Sequence, residues 1–498
     1  MSSMPRFHII TFGCQMNVND SAWLARSLRA RGFEEAERVQ DAGIVVINTC
    51  SVRDKPEQKV YSQLGRLRSL FDKNAEAFAV VGGCVAQQLG DSLSKRFPFV
   101  RLVFGADGAA MAPQAIERLV HEPALSLSLV DFSEEYTERD TLAEKSSDTD
   151  VSGTGGQAFV SIMQGCDNFC AYCIVPYVRG RQKSRSAASV IRECQSWVER
   201  GVREITLLGQ NVNSYGQDEA GRGEPSFAQL LRRVAAIDGL ERLRFTTSHP
   251  KDIAPEVVEA FGELEALCPS LHLPLQSGSD RVLAAMGRRY DRARYMDVVR
   301  RLREVREGMQ ITTDLMVGFP GETEEDFMQT LEAMEEAGFA QSFSFMYSDR
   351  PGVRAARMLD KIPEEVKSQR LAALQELQHG LTTRTLESLV GSETLLLVEG
   401  VSKKQPASRR NAQPTAACAT EEPGAQDVAQ TRAGNAVPEF DGVTSACVRG
   451  RDPYGNVVNM RLPEGRDPET IASGSLAKAR ILMAKKHSLL GELVGEPW

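Results

Sequence analysis

Apolar and polar positions alternate in blocks along the first 130 residues. The runs FHII (7–10), IVVI (44–47) and AFAVV (77–81) each have the length of a buried strand, and each stops just short of a cysteine: Cys14, Cys50 and Cys84. They recur about every 35 residues, the length of a strand-plus-helix repeat. Between the first two, Asn19-Asp20-Ser21 reads as an N-cap before the helical AWLARSLRARG, which closes on Gly32. Strands alternating with helices predict a parallel sheet. Ligands of such sheets gather beyond the carboxyl ends of the strands, and the three cysteines occupy that edge.

Residues 158–385 repeat the strand-then-helix rhythm. The expected strands are AFVSIM (158–163), EITLL (204–208), RLRFTT (242–247), SLHLPL (270–275), ITTDLMV (311–317) and FSFMY (343–347), and MDVVRRLREVREG (296–308) is the clearest helix between them. Six such units predict a full or partial barrel with its chemistry at the strand C-terminal ends. After Gly391 the runs TLLLVEG (394–400), NVVNMRLP (456–463) and LAKARILMA (476–484) predict a small antiparallel β-barrel over 390–496. Two stretches lack periodicity. The acidic DFSEEYTERDTLAEKSSDTD running into SGTGG reads as a linker over 131–157. The Ala-, Pro-, Gln- and Thr-rich segment after Lys404 reads as a disordered insertion at about 405–443. The expected class is therefore α/β: an N-terminal parallel α/β domain over 1–130, a central (β/α) barrel and a small C-terminal β-barrel.

A chain of 498 residues is expected to hold two to four domains. Its 42% hydrophobic and 25% charged content is ordinary for a soluble protein. The opening MSSMPRFHII lacks the apolar core of a signal peptide, and no run approaches the roughly 20 apolar residues of a membrane span. A cytoplasmic protein without membrane attachment is expected, and its ten cysteines should be reduced unless they bind metal. A net charge of −8 argues mildly against a nucleic-acid partner, although a local basic footprint decides that question.

The strongest chemical signal is Cys166-Asp-Asn-Phe-Cys170-Ala-Tyr-Cys173. In a chain of this composition that spacing arises by chance roughly 0.004 times. Three thiolates on one short loop suit one face of an iron–sulfur cubane, leaving one iron open. A zinc site is the alternative, but structural zinc takes four ligands, and the next cysteine, Cys194, lies in a helical stretch. Polar, glycine-bearing turns follow the later strands: Gly209-Gln210-Asn211, Ser248-His249-Pro250, Gln276-Ser277-Gly278 and Gly318-Phe-Pro-Gly321-Glu322. Such turns let a ligand approach backbone and supply hydrogen bonds; His249 fits a structural turn equally well. Cys14, Cys50 and Cys84 read as a second three-cysteine cluster, with buried free cysteines as the alternative.

A cysteine triad after the first barrel strand resembles the signature of the radical-SAM superfamily. The further motifs TFGCQMN (11–17), INTC (47–50), GGC (82–84), LLGQNVNSYG (207–216), LPLQSGSD (273–280) and DLMVGFPGETEEDF (314–327) are similar to the radical-SAM methylthiotransferase family. That likeness covers nearly the whole chain apart from the two irregular stretches. The resemblance implies two 4Fe–4S clusters, on Cys14, Cys50 and Cys84 and on Cys166, Cys170 and Cys173. It implies S-adenosylmethionine as methyl donor and radical source, with Gly209, Gln210, Asn211, Ser248, Gln276 and Gly318 as cofactor-binding candidates. It implies a C-terminal TRAM domain that binds RNA.

Within the family, GCQMN and GQNVNSYG resemble the tRNA-modifying branch that methylthiolates C2 of N6-isopentenyladenosine beside the anticodon. Two sister branches stay open, one acting on a ribosomal-protein aspartate and one on threonylcarbamoyladenosine in tRNA. So does a non-catalytic iron–sulfur RNA-binding module. The expected partners are tRNA, an electron donor protein and a sulfur source, and a monomer is expected. Candidate RNA contacts are Arg179, Arg181, Lys183 and Arg185 after the cysteine loop, and Lys403, Lys404, Arg451, Lys485 and Lys486 near the C-terminus. Cys194, Cys268, Cys418 and Cys447 receive no role.

Overall fold

The computed structural model describes residues 4–51, 56–74, 76–139, 155–218, 222–402 and 447–498. The insertion expected at 405–443 and the linker from 140 to 154 lie outside the described residues. Two compact units form: Met1–Asp150 with Gln157–Thr382, and Val151–Gly156 with Thr383–Trp498.

The first unit opens with a parallel sheet of β1 (Phe7–Thr11), β2 (Ile44–Thr49), β3 (Phe78–Gly83), β4 (Val100–Phe104) and β5 (Leu127–Leu129), paired in that order. Every position of β2 and β3 is buried, which is why they read as unbroken apolar runs. Helices α1 (Gln15–Ala30) and α5 (Ala112–His121) pack Leu28 and Ile116 against Ile44, Val46, Val80 and Leu102 on one face. Helices α2 (Pro56–Lys73), α3 (Cys84–Leu89) and α4 (Ser92–Arg96) cover Val45, Ile47, Val81 and Val103 on the other. The chain steps one way across the sheet while its helices use both faces, so the crossovers cannot all share one hand. That departs from the strong right-handed preference. The result places Cys14, Cys50 and Cys84 beyond three adjacent strand ends.

The N-cap expected at Asn19–Ser21 is corrected. Helix α1 starts at Gln15 with Cys14 at its cap, and Asn17, Asn19 and Ser21 are buried within it. Thr11 Oγ1 donates to Ser21 Oγ at 2.8 Å, and Asn19 Nδ2 donates to Ser161 Oγ at 3.0 Å. Tertiary partners satisfy these short polar side chains, so they sit inside the helix rather than cap it.

Two parallel sheets follow, β10-β9-β6 and β11-β12-β13, made of β6 (Gln157–Ser161), β9 (Glu204–Leu208), β10 (Arg242–Thr246), β11 (Ser270–His272), β12 (Gln310–Val317) and β13 (Gln341–Met346). A parallel bridge from Leu243 to Leu267 helps join them into a six-stranded partial barrel. A short hairpin of β7 (Met163–Gln164) and β8 (Lys183–Ser184) brackets the cysteine loop. Strand β11 stops at His272, before Pro274, which has no N–H to donate to a ladder. Within and around the barrel lie α6 (Val175–Val178), α7 (Ala187–Glu199), α8 (Phe227–Ala235), α9 (Pro255–Glu263), α10 (Asp280–Met286), α11 (Arg292–Val305), α12 (Glu324–Ala337) and α13 (Glu364–Glu387). A Thr323–Asp326 capping box starts α12.

In the second unit β14 (Glu393–Val401), β15 (Cys447–Arg451), β16 (Val457–Arg461), β17 (Leu476–Lys485) and β18 (Ser488–Val494) close a barrel. Leu396, Val398, Val458, Met460, Ile481 and Leu489 fill it. Its pairings are antiparallel except β16 with β18. Among the described residues, no helix is long and apolar enough to cross a membrane.

Candidate functional site

The barrel's cysteine loop is held by its backbone. Gly165, at φ +78°, leaves no room for a side chain, because a Cβ there would lie 2.0 Å from the Arg181 carbonyl. Its N–H donates to Gln210 Oε1 at 2.6 Å, and Cys166 N–H donates to the Gly180 carbonyl at 3.3 Å. Ala171 N–H reaches the Met286 carbonyl at 2.7 Å. Arg288, buried, donates from Nη1 toward Cys170 Sγ at 3.5 Å and from Nη2 to the Pro274 carbonyl at 3.0 Å. Burial pushes the Cys166 thiol up to about 11 and the Cys173 thiol up to about 12, and the neighbouring Cys170 acts in the same direction.

The second triad rests on a pair of buried amides. Asn17 Nδ2 donates to Asn48 Oδ1 and to the Thr49 carbonyl, both at 2.9 Å, and Asn48 Nδ2 donates to the Asn17 carbonyl at 2.9 Å. These bonds tie the start of α1 to the end of β2, and hence Cys14 to Cys50. Two glycines allow the close approach. A Cβ on Gly13 would lie 2.3 Å from Cys50 Cβ; one on Gly83, at φ +91°, would lie 2.2 Å from the Thr49 carbonyl. Thr49 Oγ1 donates to the Gly82 carbonyl at 2.6 Å, linking β2 to the strand that carries Cys84. A hydrogen bond with Cys50, aided by the charge of Arg179, lowers the Cys14 thiol to about 5.

Three of the basic residues expected to contact RNA are buried instead. Arg179, Lys183 and Arg185 are 5%, 3% and 6% exposed. Lys183 Nζ binds Asp107 Oδ1 at 2.5 Å and the Ser133 carbonyl at 3.1 Å. Arg185 donates to Ser189 Oγ at 2.9 Å and also pairs with Glu193. Arg179 lies 3.6 Å from Asp20. The block RGRQKSR alternates charged and small residues as a surface would, yet it threads between the first sheet and the barrel, where partner charges compensate it. Arg181 alone of the four is exposed, paired with Asp167 at 2.7 Å. In the second unit Arg451 pairs with Glu399 and Lys486 is exposed, while Lys403 and Lys404 lie outside the described residues.

The strand-end turns divide by what their side chains do. Gln210 holds the cysteine loop. Gly209 abuts Met163, and Gly318, whose N–H donates to Glu322 Oε2 at 2.6 Å, abuts Lys367. Gln276, at φ +73°, bridges β12 through its backbone, donating to the Asp314 carbonyl and accepting from Met316 N–H. Asn211 Nδ2 donates to Asp252 Oδ2 at 2.7 Å. Asp252 also accepts from Asn168 of the cysteine loop at 3.5 Å. Asn211 Oδ1, both side-chain polar atoms of Asn213, Ser248 Oγ and His249 Nε2 are buried without a hydrogen-bond partner among the described residues. His249 Nδ1 accepts from Lys251 N–H, and burial drives the ring's pKa down to about 2, with Arg288 and Lys251 adding to the effect. Sequence reasoning missed Asn213, Asp252, Arg288, Asn17 and Asn48. Asn17, Asn48 and Asn213 stood inside quoted motifs, where an asparagine amid apolar residues was the available signal.

This donor set fits polar ligands and iron–sulfur clusters. Buried polar groups are normally paired, so a group of unpaired ones on strand-end turns suits a polar ligand. Among the described residues, no three His, Cys, Asp or Glu side chains converge on one point as ligands of a single ion. Three thiolates can each bind a separate iron of a cubane.

The structure thus sets a partial barrel with a three-cysteine loop after its first strand beside a sheet with three cysteines at its strand ends. Residues 160–334 match the Radical SAM superfamily and residues 6–105 match the uncharacterized protein family UPF0004. The fold resembles that of a radical S-adenosylmethionine methyltransferase, TsrM, from Kitasatospora setae, at a TM-score of 0.51 and 16% identity over 71% of this chain and 77% of that one. The chain is 55% identical over 495 residues, 99% of each chain, to the tRNA-2-methylthio-N(6)-dimethylallyladenosine synthase of Nitratidesulfovibrio vulgaris Hildenborough. It is 56% identical over 490 residues, 98% of each chain, to the protein of that name from Oleidesulfovibrio alaskensis. It belongs to the tRNA-2-methylthio-N(6)-dimethylallyladenosine synthase family.

Proposed function

We propose that this chain methylthiolates C2 of N6-isopentenyladenosine at position 37 of tRNA, beside the anticodon, with S-adenosylmethionine as methyl donor and radical source. The observation that carries this reading is the likeness to synthases of that name over 99% of both chains. It favours this branch over the aspartate and threonylcarbamoyladenosine branches, which the cysteines alone do not separate.

Cys166, Cys170 and Cys173 would hold one 4Fe–4S cluster, and Cys14, Cys50 and Cys84 the other. When bound, the clusters and S-adenosylmethionine supply the radical, the methyl group and the site where sulfur is held. The chain's own residues bind and orient. Gln210 and Arg288 fix the cysteine loop through Gly165 and Cys170. Asn211, Asn213 and Ser248 offer unpaired polar atoms to the amino-acid and ribose groups of the cofactor. His249 stays neutral at physiological pH and, because Nδ1 accepts from Lys251 N–H, offers a donor at Nε2 without bringing a charge. Gly209, Gln276 and Gly318 shape the turns around them. The Asn17–Asn48 pair orients Cys14 toward Cys50.

The C-terminal barrel would bind tRNA, a protein electron donor would reduce the clusters, and a separate sulfur source would replenish the sulfur. We place this work in the cytoplasm, where tRNA is found. The test is mass spectrometry of tRNA nucleosides from a strain lacking the gene, with and without its restoration. Gene-dependent 2-methylthio-isopentenyladenosine is expected. An unchanged level would overturn the substrate assignment and turn attention to methylthiolated threonylcarbamoyladenosine and then to ribosomal protein.

A further inference from the structure

Arg179 belongs to the barrel by its backbone and to the first sheet by its side chain. Its N–H donates to the Val175 carbonyl at 2.8 Å, and its own carbonyl accepts from Gln164 Nε2 at 3.5 Å. The next residue, Gly180, accepts the Cys166 N–H. The preceding Val178 packs against Cys84, and the guanidinium reaches toward Asp20 on α1, the helix that Cys14 caps. At 5% exposure it has almost no water to screen it.

A guanidinium cannot shed its proton, and a buried charge must be balanced. The carboxylate nearest to it does that incompletely. Asp20 lies 3.6 Å from Arg179, beyond hydrogen-bond length, and also pairs with Arg139. Arg139 in turn lies over the Trp23 ring, its centre 5.2 Å from the ring centroid. Two guanidiniums thus share one carboxylate beside a group of thiols, and the local charge is positive when those thiols are neutral. Thiolates bound to iron would complete the balance.

We propose that Arg179 is a positioning residue that sets the charge balance of the N-terminal cluster and ties it to the cysteine loop of the barrel. This rests on the reading of Cys14, Cys50 and Cys84 as cluster ligands. Reduction adds negative charge to a cluster, and a fixed positive charge nearby stabilises the reduced form. Removing Arg179 therefore makes the N-terminal cluster harder to reduce, and removing the charge of Asp20 makes it easier.

The experiment uses the full chain carrying Cys166→Ala, Cys170→Ala and Cys173→Ala, reconstituted with iron and sulfide without oxygen, so that the remaining signal belongs to the N-terminal triad. Its reduction is followed by electron paramagnetic resonance during a redox titration, with Arg179 intact, with Arg179→Gln, with Arg179→Lys and with Asp20→Asn. At the midpoint of the Arg179 chain, Arg179→Gln is expected to lower the reduced-to-oxidised ratio about tenfold, which is about 59 mV for a one-electron couple. Arg179→Lys should recover most of that loss, and Asp20→Asn should raise the ratio. If Arg179→Gln fails to hold iron while Arg179→Lys holds it, the proposal stands on charge. Loss of iron in both variants, an unmoved midpoint in Arg179→Gln, or the same direction of shift in Asp20→Asn would each overturn it. A chain with Arg179 intact that binds no iron sinks the cluster assignment itself, and the proposal with it.

Discussion

Cys166, Cys170 and Cys173 lie on one loop between two short strands, whereas Cys14, Cys50 and Cys84 come from three different strand ends. The loop triad is set by local geometry: a left-handed glycine at Gly165, the Gln210 amide and the Arg288 fork. The distributed triad is set by sheet register, with Ile10 opposite Ile47 and Thr49 opposite Gly83, and by amides that lock neighbouring strand ends together. Bringing three distant residues together costs loop-closure entropy, which the folded sheet has already met. The loop triad should therefore survive damage to the sheet, while the distributed triad should not.

The largest expected effects separate the two triads by function. Cys170→Ala should reduce both cleavage of S-adenosylmethionine and methylthiolated product to background. Cys50→Ala should abolish product and leave cleavage intact, read as 5′-deoxyadenosine by chromatography. Product made by the Cys50 variant would remove the N-terminal cluster from the reaction.

The seam between the two regions comes next. Lys183→Met strands the Asp107 carboxylate in a buried site, which should cost roughly 3–5 kcal/mol, and the first unit should show a matching fall in thermal midpoint. A fall no larger than that of an exposed substitution would mean that water reaches the pair.

Asn48→Ala should cost roughly 1–3 kcal/mol, because it removes, in a buried site, the amide that bonds both the Asn17 side chain and its carbonyl. Iron analysis of reconstituted protein should show loss from the N-terminal triad with the loop triad retained. Gln210→Ala should reverse that pattern. Equal losses from both triads in both variants would collapse the comparison.

A smaller effect comes from His249 beside the barrel's cysteine loop. Its pKa drops from 6.5 to about 2 on folding. The unfolded chain therefore binds a proton that the folded chain does not between those values. The stability this provides is present above pH 6.5 and is lost as pH falls below it, by up to about 1.4 kcal/mol per pH unit. His249→Gln should flatten that slope in denaturation experiments between about pH 5 and 6.5. The smallest effect is expected from Arg181→Ala, which removes an exposed pair worth about 1 kcal/mol or less.

Much of the architecture was legible because buried strands carry their own signature. EITLL became β9 with the expected ends, and ITTDLMV became β12 with one added residue. Strands β4, β5, β7, β8, β15 and β18 were missed. In β15 the buried positions are Val448 and Gly450, and its partners come from elsewhere in the sequence. Polar residues were misread for one physical reason: their role depends on a distant partner. Asn19 and Ser21 looked like a cap until Ser161 and Thr11 satisfied them. Arg179, Lys183 and Arg185 looked like an RNA footprint until Asp20, Asp107 and Glu193 met them in the interior.

The sequence by itself determined the repeat of strands and helices and the position of each cysteine relative to its strand, because periodicity and spacing are properties of the chain alone. Only the tertiary structure decided that Cys14, Cys50 and Cys84 share one edge held by Asn17 and Asn48, and that Arg179 joins that edge to the barrel. Burial and charge pairing arise between segments far apart in the chain, and local sequence carries no record of which distant partner a polar side chain will meet.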